Sequence, residues 1–369
     1  VFQLKIKNQR WEVNNLIDEE LNKDFFKINV CSQKLLLQFE KNVVCFVGEN
    51  GVGKTNVLDA IHFACLGKSY FTSSDKDCVR YKESFFRIET VFEDNELVIT
   101  YEKSKKKKIV LDDIPIKKLS SFLGNFPVVV IAPDDNIILL GGSEERRKII
   151  DQTLIQTNFE YFKKLTNYQK IITQRNALLK ASHNKYLDLT LLAIYNQELI
   201  PLAEYIHTER QNFVQEIIPF FENAYVKISE EKERFNIQYL SPLNDAKFED
   251  LLRLNLEKDK ILKRTTTGIH KDDLDFYMNG VKIKTFGSQG QQKTFLLALK
   301  LAQHDYLQKK LSKSVFFIID DIFDKIDSSR SKNLIKFVSE HLGQVFISYT
   351  NKKFLEDRFR NIDYQLIEL

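Results

Sequence analysis

Residues 48–55 read Gly-Glu-Asn-Gly-Val-Gly-Lys-Thr, and no other stretch of the 369-residue chain limits its fold as strongly. The pattern G-x-x-x-x-G-K-[S/T] is a phosphate-binding loop, and each fixed position has a physical reason. Glycines let the backbone curl so that successive N–H groups point inward at a β-phosphate, and the helix that follows adds its positive dipole end. Lys54 brings a cation to the β- and γ-phosphates, and the Thr55 hydroxyl is a hard oxygen ligand for Mg²⁺. The context agrees: the apolar run Val43-Val44-Cys45-Phe46-Val47 precedes the loop, and a helical pattern runs from Gly53 to about Leu66. Gly48, Glu49, Asn50, Gly51, Val52, Gly53, Lys54, Thr55 and Asn56 are therefore the expected contacts to ATP, with Thr55 on the metal.

Such a loop needs a parallel sheet behind it, and the rest of the chain supplies one. Val128–Ala132, Val315–Ile319 and Val345–Tyr349 are short runs of β-branched and aromatic residues, like Val43–Val47, as buried parallel strands require. Arg87–Phe92 and Leu97–Glu102, joined across Asp94-Asn95, read as an antiparallel hairpin. Glycine is scarce, 12 residues in all, and none lies between Gly142 and Gly268. That stretch carries apolar residues at three-and-four spacing over Glu144–Lys180 and Tyr186–Lys232, which predicts helices. Ser143 is placed to cap the first of them, and Pro201 and Pro219 are expected to mark kinks or breaks. The expected fold is thus an α/β P-loop NTPase head with an antiparallel β subdomain, built from both ends of the chain, with a helical arm inserted. Residues 1–142 and 268–369 would be the two parts of the head and 143–267 the arm.

A phosphate loop alone leaves kinases, GTPases, transporter ATPases and DNA-repair ATPases open. Val315–Ile319 runs into Asp320-Asp321, the form of a Walker B element. At that strand end Asp320 can hold Mg²⁺ through water, and Asp321 can orient or deprotonate the water that attacks the γ-phosphate. Lys54, Asp320 and Asp321 are the expected catalytic residues. Upstream, Phe286-Gly287-Ser288-Gln289-Gly290-Gln291-Gln292-Lys293 opens a helix that runs to about Leu311. Its free N–H groups and Ser288 form a second phosphate-binding surface, one suited to the nucleotide of a second copy under two-fold symmetry. Asp324-Lys325-Ile326-Asp327 falls where an interface loop would be expected.

Composition sets wider bounds. Hydrophobic content of 43% and charged content of 29% are ordinary for a globular protein, and no run reaches the roughly 18 apolar residues of a membrane span. The start, Val1-Phe2-Gln3, lacks a secretory pattern, so a cytoplasmic protein is expected. Cys31, Cys45, Cys65 and Cys78 are scattered without C-x-x-C spacing, which favours reduced, packed thiols over a disulfide or zinc framework. A net charge of +4 permits a nucleic-acid partner without demanding one. Lys105–Lys108, and Arg146, Arg147, Lys148, Lys163, Lys164, Lys170 and Arg175 along the arm, are the cations that would meet DNA phosphates; the plainer reading is solvated helix and hairpin charges.

Taken together, these residues resemble the ATP-binding-cassette heads of SMC-like DNA-repair proteins, and among them the RecF family. The resemblance rests on six ordered blocks: GENGVGKTNVLDAIHFACLGKSYFT (48–72), APDDNIILLGGSEERRKIID (132–151), QRNALLK (174–180), GIHKDD (268–273), SQGQQKT (288–294) and DDIFDKID (320–327). It implies an ATP-dependent dimer that binds DNA at gaps and single-/double-strand junctions, hydrolyses ATP weakly and with DNA stimulation, and works with RecR and RecO to load recombinase. It also implies that Ser288, Gly290, Gln291 and Asp327 contact nucleotide alongside the phosphate loop. This sequence departs from the family pattern in two places: Ile269 and Lys271 stand where Pro and Arg are usual, and the first 40 residues fit poorly, with Leu4–Trp11 as a worn version of the opening strand followed by extra sequence. ABC heads generally carry a histidine after the strand equivalent to Val345–Tyr349; Ser348-Tyr349-Thr350 follows here, as RecF-like chains also tend to lack it. The competing classes are a transporter ATPase subunit, which needs a Leu-Ser-Gly-Gly-Gln element absent here, and a small-molecule kinase, which has no use for the helical insert.

Overall fold

In a computed structural model, residues 2–7, 28–30, 33–92, 95–181, 187–229, 233–323 and 328–369 are described. The chain divides into two compact units, one of residues 1–135, 227–230 and 307–369, the other of residues 136–226 and 231–306.

In the first unit the apolar runs pair as a five-stranded sheet in the order Tyr364–Glu368, Val43–Val47, Val345–Tyr349, Phe316–Asp320, Val128–Ile131. Every neighbouring pair is parallel. Val43–Val47 and Val345–Tyr349 have no exposed position, which is why their sequences do not alternate; the first is apolar throughout and the second is apolar but for the buried Ser348. Helix Lys54–Leu66 is buried at nearly every position, including Asp59 and His62 among its apolar residues. A seven-stranded antiparallel sheet has the order Ile28–Val30, Gln33–Phe39, Phe2–Lys7, Phe85–Phe92, Asn95–Glu102, Lys108–Leu111, Ile114–Pro115. Here the residues do alternate: every second residue of Phe85–Phe92 is buried, so one face of that strand packs on the core. One hydrophobic cluster joins the helix to both sheets, with Phe63 edge-on to Phe86 and Phe39 edge-on to Phe346. The hairpin expected around residues 87–102 is present as Phe85–Phe92 against Asn95–Glu102, with Phe92 opposite Asn95; its expected turn residue Asp94 lies outside the described residues.

The second unit holds the helices Ser143–Thr157, Phe159–Ala181 and Leu189–Ser229, the last of which ends in the first unit, and the strands Phe235–Leu240, Asp273–Met278 and Val281–Lys282. Three expectations need correction. The run 144–180 is two helices, because the Asn158 side chain accepts from Tyr161 N (2.9 Å) and starts a new helix there. Gly142 takes the cap position and Ser143 is already helical; its hydroxyl accepts from Arg147 Nη1 at 2.8 Å. Leu189–Ser229 runs through Pro201 and Pro219 as one helix, so neither proline is a break. Each proline removes a single backbone bond, and the turns on either side keep theirs.

Charges are buried inside this unit. Arg175 and Asp259 pair at 2.8 Å with both side chains fully buried, and Arg175 also donates to Thr265 (2.7 Å) and Asn196 (2.9 Å). Arg210, 2% exposed, donates to both oxygens of Asp151 (2.9 and 3.2 Å), to Asp272 (2.7 Å) and to the Ile269 carbonyl (2.7 Å). Arg146 holds Asp273 bidentately at 2.6 and 3.1 Å.

Candidate nucleotide-binding site

Strand Val43–Val47 ends at the loop, and the loop turns through Gly51 (φ 85°) and Gly53 (φ 106°) into helix Lys54–Leu66. Those left-handed angles are why glycine is needed at both places. The first helical bonds are Asn56 N and Val57 N to Gly53 O, at 3.1 and 3.2 Å. The amides of the loop therefore sit at an open helix N-terminus, where no earlier carbonyls exist to satisfy them. Lys54 is 6% exposed, and its ammonium donates to the carbonyls of Gly48 (2.7 Å) and Glu49 (2.8 Å). Burial lowers its pKa, opposed by the nearby charges of Asp321 and Asp320.

The Walker B strand delivers its carboxylates to the same place, 265 positions later in the chain. Thr55 Oγ1 donates to Asp320 Oδ1 at 3.2 Å, so the loop hydroxyl and the strand-end carboxylate converge. Asp320 is 4% exposed, and burial raises its pKa against hydrogen bonds from Ser348 and Thr55. Asp321 sits at φ 43°, a left-handed turn just past the strand end.

Two contributors were missed by sequence reasoning. Ser348, at the end of the neighbouring strand, donates to Asp320 Oδ1 at 2.5 Å and accepts from Asp321 N at 3.0 Å. It stands one place before Tyr349, in the segment noted for lacking the ABC histidine; nothing in the sequence links it to the Walker B pair, because strand adjacency is a tertiary fact. The second is Asp59, on the helix behind the loop. It accepts from Ser69 Oγ (2.7 Å) and Tyr70 N (2.8 Å), and Tyr70 Oη donates to Asp135 at 2.5 Å. Burial pushes the Asp59 carboxyl up to about 6, against the hydrogen bonds that favour its charge. The network ties the segment after the helix to the turn after Val128–Ile131, and an Asp-to-Ser spacing of ten residues gave no signal.

Of the other expected nucleotide contacts, Ser288 is exposed at the start of helix Gln289–Leu311. Its Oγ accepts from Gln291 N (3.2 Å) while Gln291 Oε1 accepts from Ser288 N (2.9 Å), a reciprocal cap. Gly290 lies in the first turn of this helix, and Gln291 also donates to Glu233 at 3.2 Å. Asp327, with Asp324, Lys325 and Ile326, lies outside the described residues.

Two of the cations considered for DNA are buried in ion pairs, and others pair at the surface. Arg175 is fully buried on Asp259 and Arg146 is buried on Asp273, so neither side chain can reach a duplex. Lys148 pairs with Glu145 at 2.8 Å and Lys164 with Glu160 at 3.3 Å. In the lysine run, Lys107 donates to Asp75 (2.7 Å) with its ammonium 4.9 Å from the centre of the Phe63 ring, and Lys105 pairs with Glu102. Basic residues at helical spacing do not reveal which ones have a buried carboxylate waiting in a distant segment.

Comparison with known proteins places this geometry in a family. Residues 20–366 match the family described as the RecF/RecN/SMC N terminal domain. DNA replication and repair protein RecF of Flavobacterium johnsoniae is 41% identical over 85% of this chain and 89% of its own length. A solved structure of the recombination mediator protein RecF with ATP, from the RecFOR pathway, superposes with a TM-score of 0.81 at 26% identity, over 95% of this chain and 92% of that one. A second RecF structure gives a TM-score of 0.83 over 99% of this chain and 95% of that one, at 24% identity, which bears on fold. With a phosphate loop and Walker B pair joined through Thr55 and Asp320, a helical insert, and sequence likeness along most of its length, the chain belongs to the RecF family.

Proposed function

We propose that this chain is an ATP-binding recombination mediator of DNA repair, in which nucleotide gates a homodimer on DNA. The convergence of Thr55 Oγ1 and Asp320 Oδ1 at 3.2 Å, beside the ammonium of Lys54, is the observation that carries the reading. Loop residues 48–56 hold the triphosphate: backbone amides at the open helix end face the oxyanions, and Lys54 moves from the Gly48 and Glu49 carbonyls to the β- and γ-phosphates. A hydroxyl and a carboxylate are the hard oxygens that Mg²⁺ takes, and that ion usually needs only one or two carboxylates besides phosphates and water, so the donor set fits it. Mg²⁺, when bound, neutralises charge developing on the phosphate oxygens. Ser348 holds Asp320 in place, and Asp321 orients or deprotonates the attacking water.

Ser288, Gly290 and Gln291 act on the nucleotide of a second copy, and Asp327 belongs to the same interface. In this reading residues 1–142 and 268–369 work as the nucleotide-binding head and 143–267 as the arm. Hydrolysis is weak and DNA-stimulated, the DNA is a gap or single-/double-strand junction bound without regard to sequence, and RecR and RecO are the partners with which recombinase is loaded in the cytoplasm. No helix among the described residues is long and apolar enough to cross a membrane.

Sizing the protein by light scattering with and without ATP, Mg²⁺ and gapped DNA tests the proposal. A dimer that appears only with nucleotide, and that Lys54→Ala abolishes, supports it. A monomer under every condition, with an ATPase rate indifferent to DNA, refutes it.

A further inference from the structure

We propose that Arg147, Arg264 and Lys271 form a seat for DNA backbone phosphates on the helical unit. The inference rests on the DNA-binding reading above and gives that reading a location.

Three chain segments bring these cations together. The ring of His270 spans the gap between two of them, with Nε2 donating to the Thr265 carbonyl at 3.0 Å and Nδ1 accepting from Tyr168 Oη at 2.8 Å. That contact holds Arg264, next to Thr265, alongside Lys271, next to His270. The third segment is the start of helix Ser143–Thr157: Arg147 Nη1 donates to the Asp272 carbonyl at 2.6 Å and to Ser143 Oγ at 2.8 Å. Its guanidinium is thereby fixed against the residue that follows Lys271. Burial pushes the His270 pKa down to about 4, so the ring is neutral near pH 7 and acts as a spacer.

The charges of the seat are not cancelled locally. Arg264 and Lys271 are exposed and Arg147 is half-buried, and none of the three makes an ion pair among the described residues. The buried carboxylates close by are already taken, Asp259 by Arg175 and Asp272 and Asp151 by Arg210, and the exposed Glu144, which also acts on Arg147, pairs with Lys148 at 3.7 Å. Burial lowers the pKa of Lys271, and the positive fields of Arg264 and Arg147 lower it further, so Lys271 lies within electrostatic reach of both arginines. Such crowding of like charge costs stability in the free protein and is relieved by an arriving anion.

The occupant follows from the shape of the site. A small anion touching one or two exposed cations gains little over water, as exposed ion pairs do. A polyanion meets all three at once and releases a condensed counterion for each phosphate neutralised, which is the dominant source of sequence-independent DNA affinity. The frame is also pre-set: Arg175–Asp259 and Arg210–Asp272 brace the segments from beneath, so little ordering is lost on binding.

The test uses the full chain with ATP and Mg²⁺ and a fluorescent gapped duplex, titrated by anisotropy at several salt concentrations. In the double variant Arg264→Gln/Lys271→Gln, the log–log salt slope should become shallower by about 2, at roughly 0.9 per phosphate contact. Affinity should fall roughly tenfold or more at low salt. Loading of a fluorescent ATP analogue should not change, and the melting temperature should hold or rise, because both side chains are exposed and unpaired and their removal relieves like-charge crowding. An unchanged slope and affinity would overturn the seat while leaving the DNA-binding reading intact. No DNA binding by the unsubstituted protein would remove both. Displacement of the duplex by sodium pyrophosphate at equal phosphate concentration would reassign the site to small oxyanions and overturn the DNA assignment.

Discussion

Ser348 shows how one hydroxyl can govern a charged site. It accepts from the backbone of Asp321 and donates to the side chain of Asp320, so both acidic residues take their positions from it. Ser348→Ala removes a charge-assisted bond from a buried carboxylate, a loss of about 1.5–3 kcal/mol. The Mg²⁺ concentration for half-maximal ATP turnover should rise roughly tenfold or more on that energy scale, with metal-free ATP binding nearly unchanged. An unaltered Mg²⁺ dependence would mean that Thr55 alone suffices to hold Asp320. Asp59 supplies a second test, in pH. Its folded pKa of about 6 lies above the ordinary value of 3.8, so the folded state binds the proton more tightly and stability falls as pH rises between those values. The loss amounts to about 3 kcal/mol, complete above pH 6 or so. Asp59→Asn should flatten melting temperature against pH across that window; a curve parallel to the parent's would show that Asp59 ionises freely in the fold. Neither residue was legible beforehand. The phosphate loop was, because each of its requirements is local: a glycine for a turn, a lysine and a hydroxyl at the mouth of a helix.

At the scale of elements, the central strands could be read because burial on both faces leaves an unmistakable run. Val43–Val47 and Val345–Tyr349 have the limits their sequences suggest. Helix ends were harder. Asn158 interrupts a continuous apolar period that carries no glycine or proline, and two prolines inside Leu189–Ser229 fail to interrupt theirs. In each case a side-chain bond or the weight of flanking turns outvotes local propensity. The same limit hid the arm's ionic frame, since Arg175 and Asp259 look like surface charges in sequence. Replacing one member leaves the other charge buried, so Arg175→Met should destabilise by about 3–5 kcal/mol. Thermal melts followed by far-UV circular dichroism would check this, and Arg175→Met/Asp259→Leu should recover much of the loss; a single variant as stable as the parent would contradict the burial of the pair.

For the whole molecule, the decisive question is whether two copies share nucleotide. Ser288 is exposed and caps its own helix, so Ser288→Arg should be tolerated by the fold and bind ATP normally. It should abolish nucleotide-dependent dimerisation in sedimentation experiments, and dimers that persist would remove the serine from the interface. Long-range order also links the site to chain synthesis. Strand Tyr364–Glu368 flanks Val43–Val47, Leu369 N donates to Val47 O at 2.9 Å, and a Cβ on Gly48 would lie 2.6 Å from Leu369 O. The wall behind the phosphate loop is thus made by a segment that leaves the ribosome more than 300 residues after the loop itself. A nascent or truncated chain lacking that segment carries the whole loop sequence without the strand that walls it, and is expected to capture nucleotide poorly until the far strand is made.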